Sequence, residues 1–243
     1  MAHLYIDEEL GDVGIGASVS LGNAEARHAV TVSRLSVGET IAIGNGAGLI
    51  VSGPIVTAEH TELTIEVADV TQSPRRTPAV FLAQALAKAD RDELAVQVAT
   101  ELGVDGVIPW SAARSISRWQ GPKITKGRDR WAAIVREASK QSLRSWIPDV
   151  LDLVSTKQLA SFASTTRMLV LEPTATETLA ELEVDDRDIL LVVGPEGGVA
   201  DHELELLTAA GASTIRLGSE VLRTSTAGPA ALAALNVKLG RWS

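Results

Sequence analysis

Cysteine is absent from the 243 residues. That excludes disulfides, thiolate nucleophiles and Cys-ligated zinc. Aromatic residues are scarce, 3% against 45% hydrophobic overall, so any core is built mainly from Ala, Val, Leu and Ile. No apolar run approaches the roughly 20 residues of a membrane span. The opening stretch, MAHLYIDEELGD, has neither the basic start nor the apolar segment of a signal peptide. A cytoplasmic protein without a membrane partner is therefore expected. The four histidines, His3, His28, His60 and His202, show no metal-ligand spacing, and no metal is expected. There is no Walker phosphate loop and no G-x-S-x-G elbow. GNGAG, Gly44 to Gly48, carries glycines like those of a dinucleotide fingerprint. It lies between two β-patterned runs with no helix after it, so a hairpin turn is expected.

What is present is unevenly spread. Acids outnumber Lys and Arg 31 to 22, a net charge of −9, which argues against general nucleic-acid binding. Yet Arg114 to Arg144 holds nine Lys/Arg against the acids Asp129 and Glu137. That segment is +7 and the remainder −16. Trp119, Trp131 and Trp146 lie in or beside it. Two readings stay open: a localised surface for a polyanion, or a solvated helix with tryptophans packed beneath it.

The first 70 or so residues are β-patterned. ETIAIGNGAGLIVSGPIV reads as strand, turn, strand, and TELTIEVADV places Leu63, Ile65 and Val67 on one face. TQSPRRTP, Thr71 to Pro78, reads as a linker. Beyond it AVFLAQAL, VDGVIPW, RMLVLEP, DILLVVGPEGG and STIRLG read as short buried strands. Helical patterns separate them: Asp90 to Leu102 with Leu94, Val98 and Leu102 at spacing four, Gly127 to Arg144, and a final Ala/Leu-rich helix from Thr224 to Leu239. Alternating strands and helices imply an α/β domain with a mainly parallel sheet.

Ligands of such sheets bind beyond the carboxyl ends of the strands. Three ends here are unusual: Glu172-Pro173, the Gly194 to Gly198 run GPEGG, and Gly218 with the loop before Thr224-Ser225-Thr226. Glycine lets backbone approach a ligand closely, and a hydroxyl residue can cap the last helix. The three ends together would make a pocket for a small planar ligand such as adenine; ordinary tight turns are the alternative. Lys88 and Arg91, at another strand-to-helix turn, together with Arg114 and Arg144, are candidates to hold phosphates, with surface ion pairs as the alternative for each.

At this point the residues resemble a known family. LLVVGPEGGVADHELELL followed by IRLGSEVLRTSTAGPAALAAL is similar to the paired signature of the RsmE family, the 16S ribosomal RNA (uracil-N3) methyltransferases of the SPOUT superfamily. LAQALAKADRDELAVQVATELGVDGVIPW resembles that family's opening strand and helix, RWAAIVREASKQSLRSWIP its E-A-x-x-Q-S-x-R helix, and ARHAVTVSRLSVGETI its His-to-Arg segment. The likeness spans almost the whole chain.

The resemblance implies a PUA-like β-barrel RNA-binding domain over residues 1–73. A SPOUT methyltransferase domain with a trefoil knot would follow over 74–243. It implies a homodimer, S-adenosyl-L-methionine as methyl donor, and N3 of a uridine in the small-subunit ribosomal RNA as acceptor. Carried over by position, the donor would sit among Leu171 and Glu172; Gly194, Pro195, Glu196 and Gly197; and Leu217, Gly218, Val221, Leu222, Arg223, Thr226 and Ala227. Arg223 is the candidate to stabilise charge on the acceptor base and Glu196 a candidate general base, with capping of backbone amides as its other role. His28 and Arg34, with Lys88, Arg91, Arg114 and Arg144, are the RNA-binding candidates. Four positions depart from the family pattern: His3, Ala113, Glu220 and Ser225. Ribose 2′-O methylation, a non-catalytic RNA-binding assembly factor and a small-molecule α/β enzyme are the rival functions.

Overall fold

The computed structural model describes residues 3–242. The chain packs as two compact units, Met1–Arg75 with Ser139–Ile147, and Arg76–Ala138 with Pro148–Ser243. The Ser139–Ile147 segment, which the sequence reading includes in the second domain, thus packs with the first unit.

The first unit is a six-stranded sheet of β1 (Leu4–Ile6), β2 (Ser18–Gly22), β3 (Thr40–Gly44), β4 (Leu49–Ala58), β5 (Glu62–Glu66) and β6 (Asp69–Gln72), with a short helix α1 (Asn23–Arg27) running into a wide π turn at His28–Val32. The order is β1-β3-β4-β5-β2, with β6 also paired to β4. Only β1 and β3 run parallel. Period-two patterning fixes the register: Leu63 and Ile65 of β5 face Leu21 and Val19 of β2, and all four are buried. Gly44 to Gly48 forms the expected β3–β4 hairpin turn, closed by Asn45 Oδ1, which accepts from the amides of Ala47 (2.8 Å) and Leu49 (3.1 Å).

The second unit is a wholly parallel sheet. Its strands are β7 (Val80–Ala85), β8 (Gly106–Ser111), β9 (Asp149–Val150), β10 (Val154–Ser155), β11 (Arg167–Leu171), β12 (Ile189–Val193) and β13 (Ser213–Ile215). The order is β10-β8-β7-β12-β11-β13, with β9 beside β8. The helices are α2 (Arg91–Glu101), α3 (Pro122–Gln141, whose residues 139–141 belong to the first unit), α4 (Thr156–Ser161), α5 (Asp201–Ala209) and α6 (Thr224–Lys238). The five residues of β12 are all buried, as expected of a central parallel strand.

Two helices differ from the sequence expectation. α3 begins five residues earlier than Gly127, because Pro122 suits the first helical turn, and it ends three residues before Arg144, where Leu143 adopts a positive φ of 57°. In α2 the buried face is Ala95, Val96, Ala99 and Thr100, while Leu94 is exposed. The reason is the partner: α2 packs on α6, also rich in small residues. β13 lies at the sheet edge, yet α6, which follows it, packs on the central strands β12 and β7. No helix among the described residues is long and apolar enough to cross a membrane.

Candidate active site

β12, β11 and β13 are parallel neighbours, so their carboxyl ends open on one side of the sheet. The loops that follow them enclose a cavity of about 320 Å³, within the range of small-molecule sites. Each loop is shaped by its own residues. After β12, the Gly198 amide donates to Pro195 O (2.9 Å), which makes Pro195–Gly198 a β-turn with Glu196 near its tip. Gly194 precedes it because a side chain there would meet the Val199 amide and side chain at about 3 Å. After β11, the Glu172 amide bonds Ile215 O (2.9 Å), and its carboxylate accepts from Thr174 Oγ1 (2.9 Å). The loop after β13 returns to α6, where Thr224 Oγ1 donates to Gly194 O (2.7 Å) and accepts from Gln84 Nε2 (2.8 Å).

Of the expected donor-site positions, Leu171, Glu172, Gly194, Pro195, Glu196, Leu217, Gly218, Val221, Leu222, Arg223 and Ala227 line the cavity. Gly197 and Thr226 do not: Gly197 O is held by Arg114 Nη1 (3.2 Å), and the Thr226 amide bonds Arg223 O (2.8 Å) in the first turn of α6. Residues not expected there also line it, among them Arg91, Arg216, Glu220 and Thr224. Arg216 Nε is buried with no hydrogen-bond partner among the described residues. Arg223 is exposed, and its guanidinium makes no ion pair or hydrogen bond among the described residues. Val221, 77% exposed, and Leu222 present apolar surface at the cavity. The sequence carried one usable signal for the buried support: Gln84 is a lone amide in the strand AVFLAQAL, and buried amides need partners.

Glu196 is engaged through one of its carboxylate oxygens. Its Oε1 accepts from the Lys88 amide (3.0 Å) and from Arg91 Nη1 (3.2 Å). Burial raises its pKa, but the amides of Glu196 and Lys88 and the Arg91 guanidinium outweigh that and hold the carboxyl below the usual range. It is the bridge between the 195–198 turn and the β7–α2 turn. Of its two candidate roles, these hydrogen bonds match the capping of backbone amides. Glu203, inside the stretch that follows, is a second buried joint: its carboxylate accepts from the amide of Ala113 (2.9 Å) and from Thr156 Oγ1 (2.5 Å). His202 beside it is exposed.

The RNA-binding candidates fall in both units. His28 packs edge-on to Tyr5, 6.0 Å between rings, and Arg34 takes a positive φ of 56°. Lys88 flanks the Glu196 bridge through its amide. Arg91 lines the cavity. Arg114 holds Gly197 O and Val199 O and approaches Asp201 at 3.5 Å. The Arg144 amide donates to Ser139 O (2.9 Å). Much of the basic run is neutralised: Arg128 by Asp152 (2.8 Å), Arg130 by Glu93, Arg136 by Glu137 (3.4 Å), Lys140 by Glu25 (3.1 Å). Trp131 is buried, and Trp146 donates to Ser73 O with Arg75 over its ring. These pairs fit the solvated-helix reading for Arg128, Arg130, Arg136 and Lys140. No cluster of His, Asp or Glu among the described residues is placed to hold a metal ion.

The chain is similar to known RNA methyltransferases. The model of an RNA methyltransferase domain matches residues 74–236. The ribosomal RNA small subunit methyltransferase E of Mycobacterium bovis is 40% identical over all of this chain and 94% of its own length. That of Bacillus subtilis is 30% identical over 97% of this chain and 96% of its own. The crystal structure of a ribosomal RNA small subunit methyltransferase E from Neisseria gonorrhoeae bound to S-adenosyl methionine superposes with a TM-score of 0.88 at 26% identity, covering 98% of each chain.

Proposed function

The chain belongs to the family of the ribosomal RNA small subunit methyltransferases E, and from that membership we propose that it methylates N3 of a uridine in 16S ribosomal RNA with S-adenosylmethionine as donor. The cavity at the ends of β11, β12 and β13 carries this reading. Its residues fit the donor. Leu171, Val193, Ile215, Leu217 and Leu222 offer apolar walls to an adenine ring. Glu172 and Glu220 offer negative charge to the cationic sulfonium and ammonium groups, and Arg216, with its buried unpartnered Nε, calls for an acceptor such as a carboxylate. When bound, S-adenosylmethionine supplies an activated methyl group.

The rest of the chemistry falls to the chain. The N3–H of uridine is weakly acidic and lies on the pairing edge, so the base is taken unpaired or flipped. Loss of that proton to solvent water spreads negative charge onto O2 and O4. Arg223, an unpaired cation on the cavity wall, stabilises that charge. Glu196 keeps the 195–198 turn in place. Residues 1–73 serve as a PUA-like β-barrel that grips RNA through His28 and Arg34, with Lys88, Arg91, Arg114 and Arg144 contributing phosphate contacts. The enzyme works in the cytoplasm as a homodimer built around the second unit. The trefoil knot that the family resemblance implies would lie where the chain returns from the edge strand β13 to α6.

The test is methyl transfer from labelled S-adenosylmethionine to small ribosomal subunits from a strain lacking this gene, followed by nucleoside analysis. N3-methyluridine is the expected product. A 2′-O-methylated nucleoside, or no transfer to either assembled subunits or free RNA, would overturn the reading.

A further inference from the structure

A second cavity, about 450 Å³, is lined by residues of the β7–α2 turn, whose Arg91 lines the first. Its wall is formed by Lys88, Ile116, Trp119, Lys123, Lys126 and Arg130, together with the acids Asp90, Asp92 and Glu93. The turn it shares with the donor cavity is the one fixed by the Glu196 bridge: the Lys88 amide and Arg91 side chain both bond Glu196, and Arg91 lines the donor cavity.

Three features make this groove suited to a nucleotide. First, its cations are available. Lys88, Lys123 and Lys126 make no side-chain ion pair among the described residues, in contrast to most of the basic run. Lys123, Lys126 and Arg130 follow helical spacing, so α3 presents them along one face. Second, most of its acids are spent. Glu93 is held by Arg130, with Nη2 to Oε2 at 2.6 Å. Asp92 is 5% exposed and accepts from the amides of Ala87 (3.3 Å) and Glu93 (3.0 Å). Only Asp90 remains exposed without a side-chain bond. Third, the aromatic surface is held rigid. Trp119 meets Trp131 edge-to-face, 5.5 Å between rings. Its indole also lies over Gly127, where even a methyl group would come within 2.4 Å of the ring. A glycine inside a helix is unfavourable relative to alanine, and here it makes the room that the indole fills.

We propose that this groove receives an unpaired nucleotide of the RNA strand next to the target base, with Trp119 as its stacking surface and Lys88, Lys123 and Lys126 as its phosphate contacts. A cationic groove combined with a fixed aromatic is how single strands are held without pairing. The position beside the donor cavity suits a strand whose target base has been drawn out of it. The proposal rests on the RNA methyltransferase reading above.

The experiment compares wild type with Trp119→Ala, Trp119→Phe and the double variant Lys123→Ala/Lys126→Ala. Three quantities are read: S-adenosylmethionine binding by calorimetry, affinity for unmethylated small ribosomal subunits as a function of salt, and KM and kcat for methyl transfer. Donor binding is expected to stay unchanged, which also reports an intact fold. Trp119→Ala is expected to weaken subunit affinity roughly ten-fold or more, and Trp119→Phe to recover most of it. The lysine pair is expected to flatten the slope of log affinity against log salt by roughly 1.4, about 0.7 for each lost single-strand contact. KM should rise more than kcat falls. Wild-type transfer with unchanged affinity and salt slope in all variants would overturn the groove's role. So would a change confined to oligomeric state by light scattering, which would mark the groove as a contact between copies. An inactive wild type would instead overturn the methyltransferase reading itself.

Discussion

Arg223 and Glu196 both line the donor cavity, and their surroundings give them opposite tasks. Arg223 has a guanidinium with no partner among the described residues, so its charge is available to an acceptor base. Removing one donor aimed at developing charge typically costs 10²–10³ in kcat. Arg223→Ala is expected to lose about that much transfer activity while S-adenosylmethionine affinity, measured by calorimetry, changes by only a few-fold. Full activity in the variant would remove the role. Glu196 is engaged by the Lys88 amide and Arg91. Its carboxyl is held below the usual value of 4.5 in the folded chain. Folding therefore favours the ionised form. The bridge's contribution to stability is complete above that usual value and is lost as pH falls through the lower folded one. Thermal unfolding of wild type and Glu196→Gln should accordingly differ by a constant amount at pH 6–8, and the gap should close below about pH 4.5. A gap that persists in acid would show that the carboxylate's charge is not what holds the turn.

Among the elements, the start of α6 decides whether the three strand ends make a site. Thr224 ties it to β12 through Gly194 O and to β7 through Gln84. Replacing the hydroxyl leaves buried polar groups without partners, at about 1–3 kcal/mol. Thr224→Val is expected to lower the unfolding free energy by that amount, read as a lower urea midpoint with an unchanged m value, and Thr224→Ser to retain most of the stability. An unaltered midpoint in the valine variant would show that the link is dispensable. α2 carries a different lesson. Spacing read from sequence selects its largest apolar side chains, Leu94, Val98 and Leu102, whereas the buried face is Ala95, Val96, Ala99 and Thr100. Small residues allow α6 to come close, and Asn236 of α6 then bonds Leu102 O (2.7 Å). Hydropathy weighs size, and close helix packing rewards the lack of it.

For the molecule as a whole, the net charge of −9 hides where cations remain free. The basic run from Arg114 to Arg144 is conspicuous in sequence, yet acids distant in the chain, Glu93, Asp152 and Glu25, neutralise several of its members. The homodimer is tested by light scattering, which should give twice the 25.6 kDa of one chain at micromolar concentration; a monomer under those conditions would overturn it.

Local pattern alone determined much of this protein. Period-two alternation placed the buried face of β5, apolar runs placed five of the seven strands of the parallel sheet but not the two-residue β9 and β10, and glycine and proline placed the turns. Those signals are written in neighbouring residues, because strand pleat and turn geometry are local properties. Tertiary structure alone decided that Glu196 is a bridge, since its partners lie more than a hundred residues away. The same holds for Gln84 reaching Thr224 and for Lys123 and Lys126, which have no ion-pair partner among the described residues, lining one groove with Trp119. Pairing of charges and buried amides depends on which side chains folding brings within a few ångströms, and sequence distance carries no record of that.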